Sequence, residues 1–350
     1  MIGIRIPRIS RRGRAACVVT AIAVFAVSAC SSGSGSDPAG ATGSASNTFI
    51  MQTAPGSVLP YIGYIAQKEG FFQKNGVNVK FATLTTGLSS TAALNAGSLN
   101  VITADPASTG PLLAKSQNLE MILGEDLNQW QVLVPASEAG KPFADVIKDI
   151  KVMGAPAAAG GTASLTVLME KAYGLAPGSI KVVADQSGAG VVSGAEQGII
   201  VSPAFSCVLE AKDSLKTAFS FSQPIESSYP APLSDAIGIP DVAFWSEKSW
   251  VTKNPTLVKH IQAALTEAIA WVNDPANLDA WVSDMRSGSL NNTSLTDSQY
   301  KSCLQSVQGK FSPDFGAADV EKWNQLVKDM NVLPSGLPPA SQWLNPNVPS

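Results

Sequence analysis

Hydroxyls, amides and carboxylates supply most of the chemistry this sequence can offer; imidazole and guanidinium are nearly absent. The single histidine, His260, stands beside Lys259 in a stretch of helical periodicity, which places it on a solvated face. It has no Ser, Cys or Asp partner at a recognisable spacing. No H-E-x-x-H, no G-x-S-x-G and no His/Cys cluster at metal-ligand spacing occurs. Gly160-Gly161-Thr162 lacks the lysine of a phosphate loop. The adjacent acids Glu125 and Asp126 read as a solvated turn rather than as a glycosidase pair. The sequence therefore predicts no catalysis, no metal and no cofactor.

Short loops rich in Gly, Ser and Thr are the better candidates. Free amides and hydroxyls that open a helix can hold a small polar ligand without a basic side chain. The candidates are Ser57, Leu59 and Tyr61; Thr86, Gly87 and Ser89; Asp105; Gly161 and Thr162; Ser187; and Ser202. Each has a plainer reading as a helix cap or turn residue. Tyr61 and Trp130 offer flat faces for a ring or methyl group, or simply pack. Asp105 can accept a hydrogen bond or pair with a cation, or serve as the acid before Pro106 at a helix start. None of these loops contains Lys or Arg, and Arg286 lies elsewhere. A strongly charged anion would lack the bidentate arginine that such sites commonly use, so a neutral or singly charged ligand is expected.

These loops are chosen by what precedes them. From residue 48 the chain alternates short β-like runs with helical stretches, and ligands of open α/β sheets sit beyond the carboxyl ends of the strands. Strands are predicted at 48–53, 77–81, 99–103, 119–123, 131–134, 151–154, 180–184, 199–202 and 218–221. Helices are predicted at 60–69, 88–96, 106–116, 162–173, 189–197 and 203–212. Residues 236–244 cross back. The last third is helical, at 255–272, 275–285, 296–308 and 317–330. The Pro-rich tail after Val332 is expected to lie extended on the surface.

A length of 350 residues with 45% hydrophobic residues suits about two domains. Only 15% of the residues are charged, fewer than the roughly 25% of ordinary soluble domains. The net charge of −3 conceals an asymmetry: Arg5, Arg8, Arg11, Arg12 and Arg14 precede residue 29 with no acid among them, and Arg286 is the one arginine after them. The body is thus acidic, and nucleic-acid binding is not expected. The basic start leads into an apolar run over 15–29 that is too short for a bilayer span and reads as a signal peptide, 1–29. Val27-Ser28-Ala29-Cys30 resembles a bacterial lipobox, which implies lipidation of Cys30. Residues 30–48 contain no large apolar residue before Thr48 and suit a flexible tether. Cys17 leaves with the signal, so Cys207 and Cys303 remain; they can form one disulfide or stay as buried thiols.

The stretch Ala66-Gln67-Lys68-Glu69-Gly70-Phe71-Phe72-Gln73-Lys74-Asn75-Gly76-Val77-Asn78-Val79 resembles the A-x-E-x-G-F-F-x-K-x-G-L-x-V helix of ABC-transporter substrate-binding proteins for nitrate, alkanesulfonates, taurine and thiamine pyrimidine precursors. Ala92-Ala93-Leu94 with Gly97 is similar to a second step of that family, with Asn100 where Asp is usual. Asn254-Pro255 and Asp274-Pro275 flank a long helix like the family's. The resemblance implies a two-lobed α/β fold of the type II periplasmic-binding-protein kind, each lobe a mostly parallel sheet flanked by helices, with a helical C-terminal part on lobe 1. Lobe 1 would comprise 49–131 plus 240–350 and lobe 2 132–239, hinged near 130–134 and 236–243. It also implies a monomer that delivers a sulfonate-like or heteroaromatic solute to an ABC permease and its ATPase. A sensory or adhesion lipoprotein on the same fold is the alternative. A pyrimidine-synthase-like enzyme is the more distant one, since that chemistry draws on histidine and a cysteine-rich motif.

Overall fold

The computed structural model describes residues 47–53, 62–83, 90–116, 118–158, 160–212, 215–222, 225–226, 228–287 and 295–350. The first series runs β1 (Thr48–Thr53), α1 (Ile62–Lys68), α2 (Phe71–Lys74), β2 (Asn78–Thr83), α3 (Ser90–Asn95), β3 (Ile102–Ala104), α4 (Pro106–Ser116) and β4 (Leu119–Gly124). The second runs β5 (Gln131–Pro135), α5 (Phe143–Asp149), β6 (Val152–Ala155), α6 (Gly161–Ala172), β7 (Lys181–Ala184), α7 (Ala189–Ser193), β8 (Gly198–Val201), α8 (Pro203–Lys212) and β9 (Leu215–Ser220). Then come β10 (Ala243–Glu247), α9 (Lys248–Lys253), α10 (Pro255–Asn273), α11 (Leu278–Ser287), α12 (Asp297–Val307) and α13 (Ala317–Asp329).

The strands form two groups of one design. One sheet has the order β7-β6-β8-β5-β9. In the other group β2 pairs with β1, and β3-β10-β4 form a ladder; a parallel bridge between Met51 and Val101 joins the two pieces. The order is therefore β2-β1-β3-β10-β4, the same pattern. In each group the strand entered by a crossover, β5 or β10, runs antiparallel to both neighbours. The remaining observed pairings are parallel. Each group is a mostly parallel sheet with helices packed on it, and the fold is the two-lobed α/β architecture that the sequence implied.

Local signals explain many boundaries. Gly70 and Gly76 take φ of 75° and 71°, where the chain reverses on either side of α2. Phe72 is buried edge-on to Phe49, whereas Phe71 is only half-buried. Pro255 opens α10, which buries Leu257, Ile261, Ala264, Leu265, Ala268 and Val272 on one face. The helix predicted to reach residue 197 stops at Ser193, because Gly194 takes φ of 77° as its cap.

The tail corrects an expectation. It turns through a short 3-10 helix at Ala340–Gln342 and docks on the sheet instead of running extended over the surface: Leu344 forms a parallel bridge to Met121 on the open edge of β4. Met121 N–H donates to the Trp343 carbonyl at 2.7 Å, and Asn345 N–H donates to the Met121 carbonyl at 3.0 Å. Trp343 is 1% exposed and stacks on Trp245. An open strand edge needs partners for its amides, and the tail supplies them together with an indole for the core.

Candidate functional site

The carboxyl ends of β3 and β6 meet across a gap. Asp105 follows β3 and opens α4, its carboxylate accepting from Ser108 N–H at 2.8 Å and from the Ser108 hydroxyl at 2.7 Å. The helix-start reading of Asp105 is thus realised. The same carboxylate also faces the second sheet: a Cβ on Gly161 would stand 2.5 Å from Oδ1. Gly161 is the residue that lets the α6 terminus approach so closely. Gly160 before it has φ of 105°, a conformation that L side chains rarely adopt. A cavity of about 630 Å³ lies here, lined by Ser90, Thr103, Asp105, Ser108, Gly160 and Ser164. Thr162 sits half-buried on the first turn of α6.

A buried acidic group stands where the chain crosses between sheets. Trp130 Nε1 donates to Asp241 Oδ2 at 2.9 Å, and Asp241 is 4% exposed. Burial, and then the negative charges of Asp105 and Asp126, hold the Asp241 carboxyl well above the usual carboxylate range. Asp126 accepts from Val242 N–H at 3.0 Å and from Gln129 Nε2 at 3.1 Å; burial and the neighbouring Glu125 raise it as well. Glu125 is 6% exposed, accepts from the Ile62 amide, and is pushed up to about 8 by burial. Glu125-Asp126 is therefore not a solvated turn. A charged pair in sequence looks surface-bound, but here the antiparallel bridge between Leu127 and Pro240 folds it under the second crossing segment. Gln129 Oε1 is buried with no hydrogen-bond partner among the described residues. Asp241 escaped sequence reasoning; its position within the predicted crossing segment was the available signal.

The other candidates lie elsewhere. Ser187 is exposed and belongs to a turn: its N–H and hydroxyl both donate to Asp185 Oδ1 at 2.6 Å. Burial raises Asp185, but the Ser187 hydroxyl and the amides of Gly190, Ser187 and Gly188 outweigh it and hold the carboxyl below its usual value. Ser202 ends β8, its carbonyl receiving the first amides of α8 from Phe205 and Ser206. A second cavity, also about 630 Å³, runs between α8 and α12 and is lined by Gln131, Ser206, Cys207, Glu210 and Cys303 among others. Cys207 and Cys303 are free thiols that line this cavity together. Ser57, Leu59, Tyr61, Thr86, Gly87 and Ser89 lie outside the described residues, as does Cys30. Among the described residues, no group of three His, Cys, Asp or Glu could hold a metal ion. His260 is exposed on α10.

Residues 61–277 match the model of the family described as NMT1/THI5 like. The chain belongs to the NMT1/THI5-like family. Solved structures with a similar fold agree. A protein from Bordetella bronchiseptica RB50 aligns with a TM-score of 0.67 at 17% identity, covering 86% of this chain and 95% of that one. The alkanesulfonate-binding protein SsuA from Xanthomonas axonopodis pv. citri, bound to MOPS, aligns at 0.65 and 13% identity, covering 85% and 99%. The periplasmic nitrate-binding protein NrtA from Synechocystis PCC 6803 aligns at 0.57 and 14% identity, covering 72% and 68%. No curated protein matches the sequence. Two of these structural neighbours of the NMT1/THI5-like chain are described as solute-binding proteins, and among the described residues no helix is long and apolar enough to cross a membrane.

Proposed function

We propose that the chain is the extracytoplasmic solute-binding component of an ABC importer. It clamps an amino-bearing heteroaromatic solute between its lobes, hands it to a permease and performs no reaction upon it. The lobes are 49–131 with 240–350, and 132–239, closing about the segments near 130–134 and 236–243. Cys30 carries the lipid that anchors the chain, through the tether, to the outer face of the membrane; acyl labelling of Cys30 in the full chain checks this.

The observation that carries the ligand class is the acidic character of the gap. Asp105 lines the cavity, and its charge bears on buried Asp241. Among the described residues no basic side chain lines that cavity, and the segments 54–61 and 84–89 contain none in sequence. A sulfonate would meet uncompensated negative charge at this place. A ring with amino groups offers donors to the carboxylates and a face to half-buried Trp130.

The test is a thermal-shift and calorimetric comparison of aminopyrimidines, alkanesulfonates and nitrate on the full chain. At a hundredfold excess over Kd, a true ligand stabilises by about 2.7 kcal/mol. Stabilisation by aminopyrimidines alone is expected. Binding of sulfonates without aminopyrimidines, or turnover of any of them, refutes the reading.

A further inference from the structure

Cys207 and Cys303 are 96 residues apart in sequence and come from different halves of the fold. Cys207 lies on α8, which packs on β5, β8 and β9 of the five-stranded sheet. Cys303 lies on α12 and is buried in the cluster that holds Phe49 and Met51 of β1, Ile122 of β4 and Phe244 of β10. The helices α8 and α12 pack together and bring the two thiols onto the wall of one cavity. The contact therefore spans the two sheets. The same cavity is lined by Gln131, the first residue of β5, and by Ser220, the last of β9.

We propose that these thiols form a reversible disulfide latch between the lobes, closed by exchange with an external disulfide and opened by an external dithiol. The proposal rests on the hinged two-lobe reading above, but not on the identity of the solute. Cys207 is the attacking group. It is only half-buried, and the cavity between α8 and α12 gives a donor access to it. The neighbouring Cys303 thiol draws the Cys207 thiol below its ordinary value despite burial, whereas Cys207 and burial raise Cys303. The Cys207 thiolate attacks one sulfur of the donor disulfide; the donor S–S bond breaks and one donor thiolate leaves. Cys303 then loses its proton and attacks Cys207 Sγ in the mixed disulfide, expelling the second donor thiolate. Both cysteines are oxidised, the donor disulfide is reduced to two thiols, and the two protons released balance the two thiolates. The new bond fixes α8 to α12, so that the lobes cannot part on that edge.

The experiment treats the full chain, without solute, with oxidised glutathione and then with dithiothreitol. Free thiols are counted after denaturation and non-reduced peptides are mapped. Small-angle scattering measures compactness in each state. The expected result is loss of both the Cys207 and Cys303 thiols, a peptide pair joined through these residues, and a narrower, more compact distribution that dithiothreitol reverses. Cys207→Ser and Cys303→Ser should each stay insensitive to the oxidant in scattering. Persistence of both free thiols, or a stable mixed disulfide on Cys207 that Cys303 never resolves, overturns the latch. So does a joined pair whose scattering equals that of the reduced chain. Because no solute is added, a failure to find the transported molecule leaves these outcomes readable.

Discussion

At the scale of single residues, the pair Asp105 and Gly161 carries two jobs that substitution separates. Gly161→Ala places a methyl 2.5 Å from the Asp105 carboxylate, so that carboxylate must move from its place at the cavity. Solute affinity is expected to fall about ten- to a hundredfold, equivalent to about 1.4–2.7 kcal/mol, with little loss of fold stability. Asp105→Asn keeps an oxygen to cap α4, since Asn caps about as well as Asp, but removes the charge. It should lower affinity for an amino-bearing ring without lowering Tm, as calorimetry and melting curves of one preparation would reveal; an equal loss in both would return Asp105 to a purely structural role. Glu125 governs stability instead. Its folded value of about 8 lies above the ordinary glutamate value of 4.5, so the native state binds more protons than the unfolded chain between these values. Its stabilising contribution is complete below about 4.5 and is lost as pH rises through about 8. Asp126 and Asp241 act in the same direction. Urea midpoints should therefore fall from pH 5 to pH 9, and Glu125→Gln should flatten that slope; an unchanged slope would mean the carboxyl is not buried as described.

At the scale of elements, legibility followed how local the deciding physics is. The helices α4 and α8 begin at Pro106 and Pro203 as predicted, because a proline at the first turn is a property of the segment itself. The apolar face of α10 is equally local. The tail was misread because its prolines advertise a loop, whereas its burial depends on β4 having an unpaired edge far away in sequence. The acids Glu125, Asp126 and Asp241 were invisible as a site for the same reason: their enclosure comes from one crossing segment folding over another. Of the site, Asp105 and Gly161 were found by the strand-end rule, which uses only the βα alternation. Ser187 was selected by the same rule, yet its hydroxyl is spent on Asp185. The tail makes a quantitative claim. Trp343→Ala removes an indole that fills the space between Trp245 and Phe315 and should cost about 3–5 kcal/mol. Chemical denaturation measures it, and a loss below 1 kcal/mol would place the tail outside the cooperative unit.

At the scale of the whole molecule, the hinge closure proposed above and proton binding at the acidic crossing form one coupled equilibrium. Burial holds the proton on Asp241, and the negative charges of Asp105 and Asp126 add to that effect. A solute that brings amino donors or positive charge to Asp241 favours its ionised form, so its binding must expel a proton. By linkage, affinity for such a solute rises with pH across the range in which Asp241 is still protonated in the free protein, at most about tenfold per pH unit for one proton. An anionic solute would reverse the sign, since it binds best to the neutral acid. Calorimetry in two buffers of different ionisation enthalpy reads the proton directly. Release of a proton on binding, abolished in Asp241→Asn while the fold melts as before, is the expected outcome. Proton uptake would mean that the lobes close on an anion and that the acidic crossing only holds the hinge together.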